Sequence, residues 1–155
     1  MSKIELAAIG RVVSPIASSR DDRWGEVESE IHLDPAQFDA SSLAGLEEFS
    51  HVEVLFYFDK LKDDEIVTTQ RHPRNNPRWP KVGIFAQRGR VRPNRIGATI
   101  CELLGVNGPT LRVRGLDAFD GSPVLDLKPV MAEFLPARST VREPGWAREL
   151  MTTYF

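Results

Sequence analysis

Apolar and polar positions alternate through most of this chain. In HVEVLFYF, 51–58, Val52, Val54, Phe56 and Phe58 share one side, and Glu53, Leu55 and Tyr57 share the other. A period of two is the mark of a strand with one face in a core. EVESEIHL, 26–33, alternates in the same way up to an imperfect last step. ELAAIGRVV, 5–13, is a third strand, ended by Ser14-Pro15. KVGIFAQ, 81–87, is a fourth. GATICELLGV, 97–106, and TLRVRGLD, 110–117, flank Asn-Gly-Pro and predict a hairpin. PVLDLKPV, 123–130, lies between two prolines and reads as the last strand.

Helical signals are short. Asp34 is placed to cap a short helix with Pro35 at its first position. SSLAGLEEFS is a second helical turn, weakened by Gly45. Pro144 can start GWARELM. The prediction is a mainly β protein, a compact barrel of about seven short strands with a few short helices. The segment 62–80 has three prolines and two asparagines and reads as a long basic loop. One domain is expected over 1–155, with a helical tail at about 144–152.

Composition changes little of this picture. No apolar run approaches the length of a membrane-spanning helix, and MSKIELAAIG lacks a signal-peptide core. Cys101 is the only cysteine, so no internal disulfide is possible, which fits a reducing cytoplasm.

Charge changes more. The net charge of −2 conceals a basic segment: 66–101 holds eight of the 20 lysines and arginines and no Asp or Glu. The other positions then carry 12 basic and 22 acidic residues, a net of −10. Such a segment suits a polyanion or an anionic cofactor group, or else pairs with the acidic remainder of the chain.

Within it, GIFAQRGRVRPNRIG carries Arg88, Arg90, Arg92 and Arg95. If 86–92 stay extended, the first three share a face at about 6–7 Å spacing. Pro93 fixes a corner, Asn94 suits a turn, and Gly97 permits close backbone approach. The competing reading is an edge strand charged against aggregation. In GLDAFDGSPVLDLKP, Asp120-Gly121 marks a turn, with Asp117 and Asp126 nearby. An acidic rim on a solvated turn is the plainer reading. No dinucleotide-binding, phosphate-loop or nucleophile-elbow motif occurs. His32, His51 and His72 have no metal-ligand spacing, so no metal is expected. Cys101 reads as a small packing residue in mid-strand.

FSHVEVLFYF, GIFAQRGRVRPNRIG and GLDAFDGSPVLDLKP, in that order, resemble the TsaA-like family, also called YaeB or TrmO. The opening IGRVVSP fits its first strand, and the likeness covers roughly 5–132. The resemblance implies a β-barrel that binds S-adenosylmethionine outside any Rossmann fold, usually as a homodimer. It further implies N6-methylation of threonylcarbamoyladenosine at tRNA position 37. Cofactor contacts carried over by it are Arg23, Trp24 and Gly25, then Asp59 and Lys60, Arg88 and Ala98, and Asp120, Gly121, Ser122 and Pro123. The chain departs from the family pattern at Gln87, Gly89, Val91 and Arg95.

Arg88 would take the cofactor carboxylate bidentately. Arg92 and Asn94 are expected to position substrate. Arg71, Arg74, Arg78, Arg90 and Arg95 are expected to face RNA, with Trp79 available for stacking or packing. Asp117, Asp126 and His51 are the candidates for a general base. Alternatives are a methyltransferase with a small-molecule or protein acceptor, and a non-catalytic RNA-binding barrel.

Overall fold

The computed structural model describes residues 2–155. Its centre is a closed six-stranded barrel in the order β1-β2-β7-β6-β3-β8, with all neighbours antiparallel. The strands are β1 (Gly10–Val13), β2 (Glu28–Leu33), β3 (His51–Tyr57), β6 (Ile96–Asn107), β7 (Thr110–Arg114) and β8 (Pro123–Pro129). β4 (Gln70–Arg71) and β5 (Val82–Gly83) form a separate two-residue ribbon. The mainly β barrel expected from the alternation is present, with six strands in the wall and two beside it rather than about seven.

The inward positions follow the period of two. Val52, Val54 and Phe56 of β3, Ile31 and Leu33 of β2, Leu111 and Val113 of β7, Val12 of β1 and Val124 of β8 are all buried in one cluster. Each large side chain contributes about 1.5–3 kcal/mol by leaving water. A barrel this narrow has no lumen; side chains fill it.

β6 is twice the usual strand length because it serves two neighbours. Its first half pairs with β3 and its second half with β7, and Glu102 lies opposite both His51 and Arg114. The ladder shifts register between Leu103 and Gly105. The β6–β7 hairpin turns through Gly108, which is left-handed at φ 56°.

Three strand boundaries differ from expectation. In 5–13, only Gly10–Val13 is strand, because Glu5 to Ala8 are exposed and no strand lies beside them. In 81–87, the strand stops after Gly83, since β4 offers only two partners; Ile84–Ala86 then coil into a 3-10 turn that buries Ile84. In 110–117, the strand ends at Arg114, where Gly115 turns left-handed.

The Asp34-Pro35 signal produces a turn rather than a helix. The Asp34 carboxylate accepts from the Ala36 N–H at 3.0 Å. SSLAGLEEFS is broken into two 3-10 turns by left-handed Gly45. The tail helix α1 (Gly145–Met151) starts after Pro144 as expected.

Candidate functional site at the barrel mouth

Antiparallel pairing brings the C-terminal ends of β1, β3 and β7 to the same end of the barrel as the N-terminal ends of β2 and β8. The N-terminus of β6 joins them there through Tyr57↔Ile96. The loops from these ends enclose a cleft of about 750 Å³. It is lined by Arg20 and Trp24 after β1, by Phe58, Asp59 and Lys60 after β3, and by Arg71, Arg74 and Asn75 of the long loop. Arg88 to Val91, the Asp117, Phe119 and Ser122 side of the acidic turn, Asp21 and Tyr154 also belong to the wall. The arginine corner and the acidic turn, apart in sequence, thus meet across one cavity.

Local bonds hold this mouth open. Lys60 reaches over the Phe119 ring at 5.7 Å and donates to Ala17 O at 2.9 Å and Asp120 O at 2.8 Å. It ties the loops after β1, β3 and β7 together. The Asp120 carboxylate accepts from the Ser14 N–H at 3.0 Å, while Gly121, left-handed at φ 82°, donates its N–H to Val12 O at 2.9 Å. Trp24 is buried against Phe119, with ring centroids 5.9 Å apart and Arg20 stacked over it.

Arg88 leads the arginine segment into the cleft and donates to the Ala98 carbonyl. The segment itself is not extended. Arg92 N–H donates to Arg90 O at 2.8 Å and Arg95 N–H to Arg92 O at 3.0 Å, so the chain turns twice. Arg88, Arg90 and Arg92 therefore do not line up on a strand face. Arg92 bonds the Gln87 carbonyl at 3.0 Å, and Gln87 in turn bonds the carbonyls of Arg71 and Val82. Arg92 braces the loop and stands outside the cleft, as does exposed Asn94.

Other expected site residues divide in the same way. Trp24, Asp59, Lys60, Arg88 and Ser122 line the cleft; Arg23, Gly25, Ala98, Asp120, Gly121 and Pro123 support it from behind or beside. Arg23 pairs with Glu26, and Gly25 lies under Phe155, where a Cβ would come within 2.8 Å of the backbone.

Of the arginines assigned to RNA, two are paired within the chain. Arg74 holds Asp22 at 2.9 Å, and Arg95 holds Asp63 and Leu61 O. Arg71 bonds Asn75 at 2.6 Å. Arg78 and Arg90 are exposed and make no side-chain bond among the described residues. The Arg74 guanidinium draws the Asp22 carboxyl below the usual carboxylate range. Trp79 donates to Glu149 of α1 at 3.1 Å, which is a packing role.

Among the three candidate bases only Asp117 reaches the cleft. Asp126 pairs with Lys128 at 2.6 Å on β8, and His51 begins β3, the end away from the mouth. Asp117 accepts from the hydroxyls of Thr99 and Tyr154. Burial first, then Asp117, pushes the Tyr154 phenol up, so it keeps its proton. Burial likewise pushes the Cys101 thiol up, in keeping with a packing residue.

Arg20 and Tyr154 also line the cleft, though no sequence motif singled them out; Phe58 and Phe119 line it from within two of the quoted motifs, where neither was assigned a site role. Tyr154 carried the weakest signal of all, being 34 residues beyond the acidic turn. It arrives through a clasp: the Arg23 and Trp24 N–H groups donate to Thr153 O and Tyr154 O at 2.8 and 2.7 Å. The Arg74 guanidinium then stacks on its ring at 5.7 Å.

Residues 15–134 match the model of the tRNA-methyltransferase O N-terminal domain family. The chain belongs to that family. A Methanothermobacter thermautotrophicus member, named a probable S-adenosyl-L-methionine-binding protein, is 40% identical over 82% of this chain and 90% of its own length. The Escherichia coli tRNA (adenine(37)-N6)-methyltransferase is 36% identical over 99% of this chain and 70% of its own. A crystal structure of the Pseudomonas aeruginosa family member, TrmO, superposes with a TM-score of 0.74 at 26% identity, over 94% of this chain. The chain spans 62% of that structure and 28% of the mouse relative, so several family members are longer.

Proposed function

We propose that this protein is a S-adenosylmethionine-dependent methyltransferase that methylates N6 of adenosine 37 in tRNA, with threonylcarbamoyladenosine as the acceptor. The observation that carries this reading is the mouth cleft, where Arg88, the Asp59-Lys60 pair and an aromatic wall converge. Family membership and relatives named for S-adenosylmethionine binding and for this methylation support it.

The donor set fits the cofactor. A volume of about 750 Å³ lies within the usual range for a ligand of this size. Arg88 uses one of its five N–H groups on Ala98 O, leaving others for a carboxylate. Asp59 and Asp21 can receive an ammonium, and the half-buried Phe58 and Phe119 rings can meet a cation or an adenine. When bound, the cofactor supplies an electrophilic methyl group on a sulfonium. The residues need only hold two reactants in line, because proximity provides much of the rate and no covalent enzyme intermediate is required.

Arg71 and Arg90 of the cleft lining, together with exposed Arg78, would meet tRNA phosphates. A homodimer, as the resemblance implies, would use exposed apolar side chains such as Phe85, Phe134 and Leu135; sedimentation tests it. No helix among the described residues is long and apolar enough to cross a membrane. A cytoplasmic site of action is the reading that a tRNA substrate supports.

Calorimetry with S-adenosylhomocysteine is the direct test. Micromolar binding that weakens at least about tenfold in Arg88→Ala supports the cofactor site, since a charge-assisted bond is worth about 1.5–3 kcal/mol. No binding by the wild-type protein would overturn it. Mass spectrometry of tRNA nucleosides from a deletion strain tests the acceptor: unchanged methylation removes tRNA and leaves a small-molecule or protein acceptor.

A further inference from the structure

Asp117 and Tyr154 form a pair on the cleft wall to which the cofactor reading above assigns no role. Asp117 follows β7 at the cleft wall, and its two carboxylate oxygens are divided between two hydroxyls. Oδ1 accepts from Thr99, a buried residue of β6. Oδ2 accepts from Tyr154, whose segment lies outside the family match. The first partner is part of the barrel wall. The second is delivered by the main-chain clasp on Arg23 and Trp24 and by the Arg74 guanidinium over its ring.

The two oxygens are therefore not equivalent. Thr99 cannot leave without opening the β3–β6 ladder, in which it pairs with Val54. Tyr154 can leave by breaking the main-chain bonds from Arg23 and Trp24 and the Arg74 stacking contact, with no strand ladder opened. Whatever replaces it at Oδ2 must also donate a hydrogen, because a half-buried carboxylate oxygen without a donor is costly. A carbamoylated adenine N6 is such a group: its N–H is a donor, and its nitrogen must lose that proton to become a competent nucleophile.

Resting on the methyltransferase reading above, we propose that Asp117 Oδ2 docks the N–H of the methyl-acceptor nitrogen and takes its proton, and that the Tyr154 hydroxyl holds that position until the acceptor enters. As the N–C bond to the incoming methyl forms, the N–H bond breaks and its proton passes to Oδ2; the methyl comes from the sulfonium donor, which departs as the thioether. The phenol, held protonated, cannot do this work itself. Its part is to exchange one donor for another without leaving the carboxylate bare. Thr99 keeps Oδ1 occupied and so aims Oδ2 into the cavity.

The test separates this proposal from its parent. Affinity for an anticodon stem-loop carrying threonylcarbamoyladenosine is measured by fluorescence anisotropy with S-adenosylhomocysteine present, and S-adenosylhomocysteine affinity by calorimetry. Tyr154→Phe should tighten stem-loop binding roughly tenfold, because the competing donor is gone. It should leave S-adenosylhomocysteine affinity within about twofold. Asp117→Asn should lower kcat by about a hundredfold or more, the loss of a general base, with S-adenosylhomocysteine affinity again retained. Unchanged or weaker stem-loop binding in Tyr154→Phe overturns the proposal, as does an Asp117→Asn enzyme of wild-type kcat. Should Asp117→Asn not fold, the Tyr154→Phe result decides alone. Wild-type protein that binds no S-adenosylhomocysteine overturns the methyltransferase reading itself.

Discussion

Gly97 sits opposite Phe56 in the β3–β6 ladder, and the aromatic ring lies directly over its α-carbon. A methyl group there would fall 2.4 Å from Phe56 Cζ and 2.7 Å from both Cε atoms. Carbon atoms rest at about 3.5–4.0 Å, so the ring would have to withdraw by roughly 1.2 Å. It has nowhere to withdraw to. Phe56 is 1% exposed, and its ring meets Phe58 edge-on at 5.1 Å and 77°.

Overpacking of this kind costs about 1–3 kcal/mol, against which the lower chain entropy of alanine returns roughly 0.5–1 kcal/mol. The Gly97→Ala protein should therefore be destabilised by about 1–2 kcal/mol, lowering Tm by roughly 3–8 °C. Urea titration with a double-mutant cycle is the assay. Phe56→Leu alone should destabilise, and combined with Gly97→Ala it should cost less than the sum by about 1 kcal/mol, since the smaller side chain admits the methyl. Strict additivity, or an unshifted midpoint in Gly97→Ala, would refute the packing account. Because Phe58 lines the cleft, S-adenosylhomocysteine binding should weaken in the single variant and recover in the double.

Three further outcomes follow from the same structure. Binding to unstructured RNA should show a log–log salt slope of roughly −2, because about three arginines remain for phosphates once Arg74 and Arg95 are paired; a flat dependence would remove the polyanion reading. Asp22 titrates below its unfolded value, so its contribution is complete above about pH 4 and fades as pH falls through the lower folded value; the stability gap between wild type and Asp22→Asn should close over that window, and a gap constant with pH would contradict the Arg74 pairing. Cys101 should resist thiol reagents until the protein unfolds; rapid native-state labelling would disprove its burial.

Much of the barrel was legible because its wall obeys one rule. Val52, Val54 and Phe56 point inward at a period of two, and β3 begins at His51 as the alternation predicts. The rule failed where a strand's neighbour was missing, as at Glu5 to Ala8, or too short, as beyond Gly83. Alternation states which faces are buried and says nothing of where a ladder partner stops.

The basic segment was legible as a charge excess but not as an arrangement. Both readings of it have a share: Arg88 enters the cleft, while Arg74 and Arg95 find Asp22 and Asp63 across 52 and 32 positions of chain. Long-range pairing of this kind leaves no local trace. Tyr154 shows the limit best. Its position is fixed by main-chain bonds from Arg23 and Trp24, and a main-chain donor looks the same in every sequence.

The clasp at 153–154 has a practical corollary. Any residue but proline at 23 or 24 keeps the two N–H donors, so the strap should survive wide sequence drift in the loop it closes over. A fluorophore on exposed residue 152, introduced as cysteine beside Cys101→Ala, would sit one residue from the strap, and a change in its emission on adding the stem-loop would report release of Tyr154.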